Sequence, residues 1–174
     1  RPGAGYKRSR PTRMVLRAVE SRQSRRPRRC ARQSLALRRG VLDYEKRQVY
    51  RGPEGYMDIP ADKGEAEASI ESELAEHPDS DGIVAAVVLS ATPKSVRALL
   101  ASGEEITIQD AGLGMATSAL TDKTPANRRI RRGAIIRVMQ EGNGWAIIQL
   151  PEVESAFVSA SAEDGAIRAL VGGF

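Results

Sequence analysis

From position 83 to the C-terminus, apolar residues fall in short runs broken by glycine, asparagine or charge. Ile83–Ala91 (IVAAVVLSA) is a continuous, β-branched run, the pattern of a strand covered on both faces. Ser95–Leu100 (SVRALL) and Glu105–Gln109 (EITIQ) read as two further strands, joined through the tight turn Ala101-Ser102-Gly103. In EITIQ the two isoleucines share one side and the polar residues the other. The connection 110–124 contains glycines and predicts a short helix around Leu113–Ala119. Gly133–Gln140 (GAIIRVMQ) and Trp145–Leu150 (WAIIQL) make a hairpin around Glu141-Gly142-Asn143-Gly144, and Glu154–Ser161 and Ala166–Val171 make another around Ala162–Gly165, where Asp-Gly favours a turn.

Upstream the period changes. Ser34–Tyr50 carries apolar residues at 35, 37, 41, 42, 44 and 49, with Leu35, Leu42 and Val49 at intervals of seven. This spacing predicts a helix over 31–48, which Gly40 weakens by about 1 kcal/mol without ending it. Gly52-Pro53 stops it. Lys63–His77 places Ile70 and Leu74 on one face of a short amphipathic helix with an acidic outer face, and Pro78–Gly82 breaks it.

The expected fold is mainly β with short helices: a small OB-like antiparallel barrel of five or six strands, a terminal β-hairpin and a flexible basic N-terminal arm. The expected division is an arm over 1–33, a helical linker over 34–80, the β domain over 81–152, and over 153–174 a hairpin that opens a further unit.

Charge sharpens that division. Residues 1–40 hold 13 Arg and one Lys against Glu20 alone, a net +13, and residues 41–174 carry a net −8. The whole-chain charge of +5 therefore belongs to the arm. Three readings of the arm stand: a polyanion-binding segment, a solvated tail kept extended by self-repulsion, or GC-rich coding DNA read in the wrong frame, which Ser21–Arg32 (SRQSRRPRRCAR) resembles in composition. Residues 1–10 lack the apolar stretch of a signal peptide. No apolar run approaches the roughly 20 residues that span a bilayer, so the chain reads as soluble.

The residues offer little catalytic chemistry. Cys30 and His77 are the only residues of their kinds, so an internal disulfide and a Cys/His metal site are not expected, nor is a cofactor. His77, between an acidic helix and a proline turn, reads as a surface histidine. Gly112-Leu113-Gly114 reads as a loop glycine pair. Lys123-Thr124-Pro125 resembles K-T-G only superficially, because proline stands where the glycine would be, and it reads as a turn; no serine is followed three positions later by lysine. The acidic pairs Glu71 and Glu73, Glu104 and Glu105, and Glu163 and Asp164 read as solvated surface. Arg128-Arg129-Ile130-Arg131-Arg132 is the one basic cluster inside the domain; a solvated linker on a barrel rim is the leading reading, with binding of an anion, a partner or a polymer backbone as the alternative. Trp145 reads as packing rather than ligand stacking. No catalytic, cofactor-binding or metal-binding residue is assigned.

Two segments resemble the class A penicillin-binding proteins, the bifunctional glycosyltransferase/transpeptidases of bacterial peptidoglycan. Arg38–Glu54 (RRGVLDYEKRQVYRGPE) is similar to the stretch that follows the glycosyltransferase and linker regions in the 1A-type members. Trp145–Phe174 (WAIIQLPEVESAFVSASAEDGAIRALVGGF) resembles the family's approach to its transpeptidase domain, and 83–150 matches the position of its OB-like insert. The resemblance implies a non-catalytic regulatory or interaction segment of a peptidoglycan synthase, lying on the periplasmic side of the inner membrane without touching the membrane itself. It implies that the catalytic carboxylates lie upstream and the S-x-x-K serine downstream. Implied partners are a regulatory cell-envelope protein or glycan and the remainder of the parent synthase, with no nucleic acid. The alternative is a free-standing OB-type nucleic-acid binder with an Arg-rich arm, against which stand the domain's charge of −8 and its scarcity of stacking aromatics, two Phe and one Trp in all.

Overall fold

The computed structural model describes residues 27–172. The readings made of residues 1–26 lie outside the described residues. Helix α1 spans Pro27–Glu45, so residues 27–33, read from sequence as arm, are its first turns. Its inward stripe runs through Leu37, Val41 and Glu45. The seven-residue spacing pointed one position away, and two of its members, Leu35 and Val49, are exposed. The cause is a buried carboxylate: Glu45 belongs to the inward face, and no count of apolar residues includes it.

Strand β1 (Gly55–Tyr56) precedes helix α2 (Lys63–Ala75). Asp62 caps α2, its Oδ1 accepting from the Gly64 and Glu65 amides at 3.0 and 3.1 Å. Ile70 and Leu74 pack on Ala85, Val87, Leu99 and Ile135. Burying two such side chains contributes about 1.5–3 kcal/mol each.

The main sheet comprises β1, β2 (Ile83–Thr92), β3 (Ser95–Leu100), β4 (Glu105–Gln109), β5 (Ala134–Glu141) and β6 (Gly144–Ile148), all pairs antiparallel. Its order is β1-β5-β2-β3-β4, and β6 shares with β1 the free side of β5. The strands curl about one core, in which Ala86, Val88, Val96, Ala98, Ile106, Ile108, Ile136 and Val138 point inward. Ala85 and Val87 face α2 instead. The unbroken apolar run of β2 follows from these two coverings, barrel interior on one face and helix on the other.

Among the described residues no ladder joins β4 to β6. A kinked 3₁₀ segment, Asp110–Leu120, stands in that gap and inserts Leu113, Ala116, Ala119 and Leu120 into the core. The OB-like barrel is therefore closed by side chains rather than by backbone pairing. Gly112 is the point of closest approach: a Cβ there would fall on the carbonyl oxygen of Trp145. The glycine pair read from sequence as a loop thus contains a packing glycine. A separate hairpin, β7 (Ala156–Ala160) with β8 (Ile167–Gly172), rests against α1. No helix among the described residues is long and apolar enough to cross a membrane.

Candidate functional site

The charged residues buried in this domain gather along one seam. The segment 49–54 enters the barrel there and the segment 149–152 leaves it. Glu45, at the end of α1, is 1% exposed. Its Oε1 accepts from Arg51 Nη1 at 2.5 Å and from Gln149 Nε2 at 2.6 Å. The Arg51 amide donates to Gln149 Oε1 at 2.9 Å, Arg51 Nη2 donates to the Leu150 carbonyl, and Arg51 Nε lies 3.3 Å from Glu152. Each buried polar atom in this set finds a partner from another segment, which is the condition for burying it at all. The result is a clamp that holds the two chain crossings side by side.

A second network adjoins it. Arg137 sits in β5 between Ile136 and Val138 on the outer face of the sheet, and is 4% exposed. Its Nε and Nη2 donate to the two carboxylate oxygens of Glu54 at 2.8 and 2.9 Å, and its Nη1 donates to the Pro78 carbonyl at 2.9 Å. His77 Nδ1 lies 2.8 Å from Glu54 Oε2. Burial alone would raise the Glu54 carboxyl, but the Arg137 hydrogen bonds and charge, joined by those of His77, outweigh it and hold the group below the ordinary carboxylate value. Burial, with smaller contributions from Tyr56 and Glu54, pushes the Tyr50 hydroxyl well above the usual phenol range.

Tyr50, Glu54, Arg137, Gln149 and Leu150 line a shallow cleft of about 340 Å³. Its charged groups already satisfy one another, both oxygens of Glu54 being bound by Arg137. His77 Nδ1 is taken up by Glu54 Oε2. Among the described residues no three His, Cys, Asp or Glu side chains are grouped to hold a metal ion. The arrangement braces chain segments.

Two readings from sequence change. His77 is a half-buried member of the Glu54 network, not a free surface histidine. The basic cluster is solvated at Arg128, Arg131 and Arg132, as read, but Ile130 and Arg129 tie it to the barrel. Ile130 is buried in the core, its amide donates to the Ala119 carbonyl at 2.9 Å, and Arg129 turns back to Asp122 and to the Thr124 carbonyl. The Tyr56 hydroxyl is placed to donate to the Ala126 and Arg129 carbonyls, at 3.0 and 2.8 Å. Thr124 closes a turn by donating to the Ser118 carbonyl. Trp145 is partly buried against the barrel core, in keeping with packing. Glu71, Glu104, Glu105, Glu163 and Asp164 are exposed and Glu73 is half-buried. Cys30 lies in α1.

Sequence reasoning passed over Glu45, Arg51, Glu54, Arg137 and Gln149. Arg137 carried a readable sign: a single arginine inside GAIIRVMQ is a charge in a buried strand, and such a charge demands a partner.

Residues 50–153 match the family model described as penicillin-binding protein OB-like domain. The chain belongs to this family. Penicillin-binding protein 1A of Neisseria lactamica is 39% identical over 140 residues, which are 80% of this chain and 17% of the relative. Penicillin-binding protein 1A of Escherichia coli K12 is 34% identical over 145 residues, again 80% and 17%. The crystal structure of penicillin-binding protein 1A from Haemophilus influenzae superposes with a TM-score of 0.60 at 28% identity, covering 82% of this chain and 20% of that one. The chain thus spans about 17% of the length of these curated relatives. The span matched to the OB-like family takes in β1 and α2, so it begins well before the 81–152 domain drawn from sequence. Its ends fall at the clamp: Arg51 lies just inside the first matched residue and Glu152 just inside the last.

Proposed function

We propose that this OB-like domain is a non-catalytic docking and bracing module of a peptidoglycan synthase. The parent protein would polymerise glycan strands and cross-link their peptides, and this module would stand on the periplasmic side of the inner membrane. It would present a surface to a regulatory envelope protein or to glycan. The observation that carries the reading is the clamp. A domain whose incoming and outgoing segments are bonded side by side is built as an insertion, held by its neighbour at one point and projecting away from it. The outer face of the β7–β8 hairpin supports the same reading. Val158, Ile167 and Leu170 are 58–67% exposed there, an apolar surface suited to packing against further parts of a synthase.

The partial burial of Trp145 against the core and the net negative charge of residues 41–174 support a protein or glycan partner over single-stranded nucleic acid, which this fold binds with stacking aromatics and a basic groove. A fluorescent penicillin tests the non-catalytic part. Incubated with this chain, it should leave no covalent label after denaturing electrophoresis. Stoichiometric labelling would overturn the reading, because it would reveal an activated nucleophile within the chain.

A further inference from the structure

We infer that the rim loop 121–133 is a docking surface for an acidic peptide segment of a partner protein, with Lys123, Arg128, Arg131 and Arg132 as the recognising cations. The inference rests on the docking reading above and gives it a face and a partner chemistry.

Three observations carry it. First, the loop is held by groups that leave its cations outward. Ile130 is its apolar anchor, the Gly133 amide donates to the Val88 carbonyl at 2.8 Å, and the carbonyl of Gly133, a residue at φ +82°, accepts from the Met57 amide. Tyr56 binds two of its carbonyls from below. A loop fixed this way loses little conformational entropy on binding.

Second, the cations divide into two sets. Arg129 is turned inward, and it takes the only acid of the loop, Asp122. Lys123, Arg128, Arg131 and Arg132 are exposed, and none of them forms an ion pair among the described residues. The Arg131 guanidinium lies 4.7 Å from the centre of the Tyr56 ring, which orients the group while leaving its N–H edge free to donate. Arginine's planar fork suits two-point binding of a carboxylate.

Third, this positive island sits on a domain of net −8 over residues 41–174. A long polyanion or an anionic bilayer extends beyond the island and would feel the repulsion of that net negative charge. A short acidic segment engages the island alone. Charge complementarity therefore favours a peptide carrying a few Asp or Glu residues over nucleic acid or a lipid surface.

Zero-length carbodiimide coupling of an octaglutamate peptide to the full chain, read by peptide mapping, tests this. The coupling joins a glutamate carboxylate to a lysine amine in contact with it, and Lys123 is the reporter. The arginine-rich residues 1–40 also attract the peptide, and Lys7 reports that encounter separately. Lys123 should be the most heavily coupled lysine of residues 41–174. The charge-reversed triple variant R128E/R131E/R132E should lower its coupling by about tenfold, as should raising the ionic strength to about 0.5 M. The variant R128K/R131K/R132K keeps the charge and should retain most of the coupling, which guards against a triple reversal that merely unfolds the loop. Coupling spread evenly over Lys46, Lys63, Lys94 and Lys123 would overturn the inference. So would protection of Lys123 by oligothymidylate or by phosphatidylglycerol vesicles at concentrations where octaglutamate gives none. Either failure leaves the penicillin test untouched, and covalent labelling by penicillin would leave the Lys123 result standing.

Discussion

Arg137 and Glu54 form a two-point ion pair across 83 residues of sequence, with Nε–Oε1 at 2.8 Å and Nη2–Oε2 at 2.9 Å. The pair fastens the incoming segment to the middle of the sheet, where the end of α2 also arrives through the Pro78 carbonyl. The two partners are unequally buried, 4% exposed for the arginine side chain against 28% for the glutamate.

That inequality predicts an asymmetry. Glu54→Ala strands a buried guanidinium and should cost about 3–5 kcal/mol, whereas Arg137→Met leaves a half-exposed carboxylate that water can reach and should cost less. The double variant E54L/R137M should recover much of the loss. Urea unfolding of the three proteins measures this; equal costs for both single variants would contradict it.

The same pair sets a pH dependence. The Glu54 carboxyl is held below the ordinary glutamate value of 4.5 in the folded protein, so the folded state binds its proton less readily than the unfolded chain does. Its contribution is therefore fully present above that ordinary value and is lost as the pH falls through the lower folded value. Acid unfolding of the native chain should show this loss, and Glu54→Gln should flatten that part of the profile. An unchanged profile in the variant would show that other carboxylates dominate.

Two glycines should respond in opposite directions. Gly40 lies mid-helix in α1 with open space where a methyl would go, and Gly40→Ala should stabilise by roughly 0.5–1 kcal/mol. At Gly112 a methyl would meet the Trp145 carbonyl and, at 2.9 Å, Ile108 Cγ2, so Gly112→Ala should destabilise by about 1–3 kcal/mol as the 3₁₀ segment is pushed out of the gap between β4 and β6. Thermal unfolding midpoints give both signs directly.

Much of the β architecture was legible because it depends on neighbours in sequence. EITIQ alternates, IVAAVVLSA does not, and the turns carry Gly or Asp where positive φ is needed, as at Gly103, Gly142 and Gly165. The seam was not legible. Glu45 meets Gln149 across 104 positions, and no local pattern announces such a partner. The anchoring of the basic loop was hidden for a related reason. In RRIRR the isoleucine looks incidental, yet it is the anchor, and Arg129 turns inward while Arg128, Arg131 and Arg132 stay outside. The kinship with penicillin-binding proteins was readable from short strings at the two ends of the barrel, the segments that the clamp joins.

The clamp makes its own prediction. Glu45→Ala leaves Arg51 and Gln149 facing an emptied site, and should loosen the junction more than the barrel. Hydrogen exchange should rise at the Arg51 amide, which now donates to Gln149, while amides in β2 and β3 keep their protection. Uniform loss of protection throughout the barrel would mean that the clamp supports the whole domain instead.

Whether the module is dispensable for chemistry is decided by excising it. In a longer protein carrying this chain, residues 51–150 would be replaced by a short glycine–serine bridge, and the rate of acylation by a fluorescent penicillin measured. The clamp brings those two ends together, so the bridge should be accommodated and the acylation rate should stay within about twofold of the intact protein. A shortened protein that folds but no longer acylates would contradict the non-catalytic reading, since the module would then be part of the catalytic machinery.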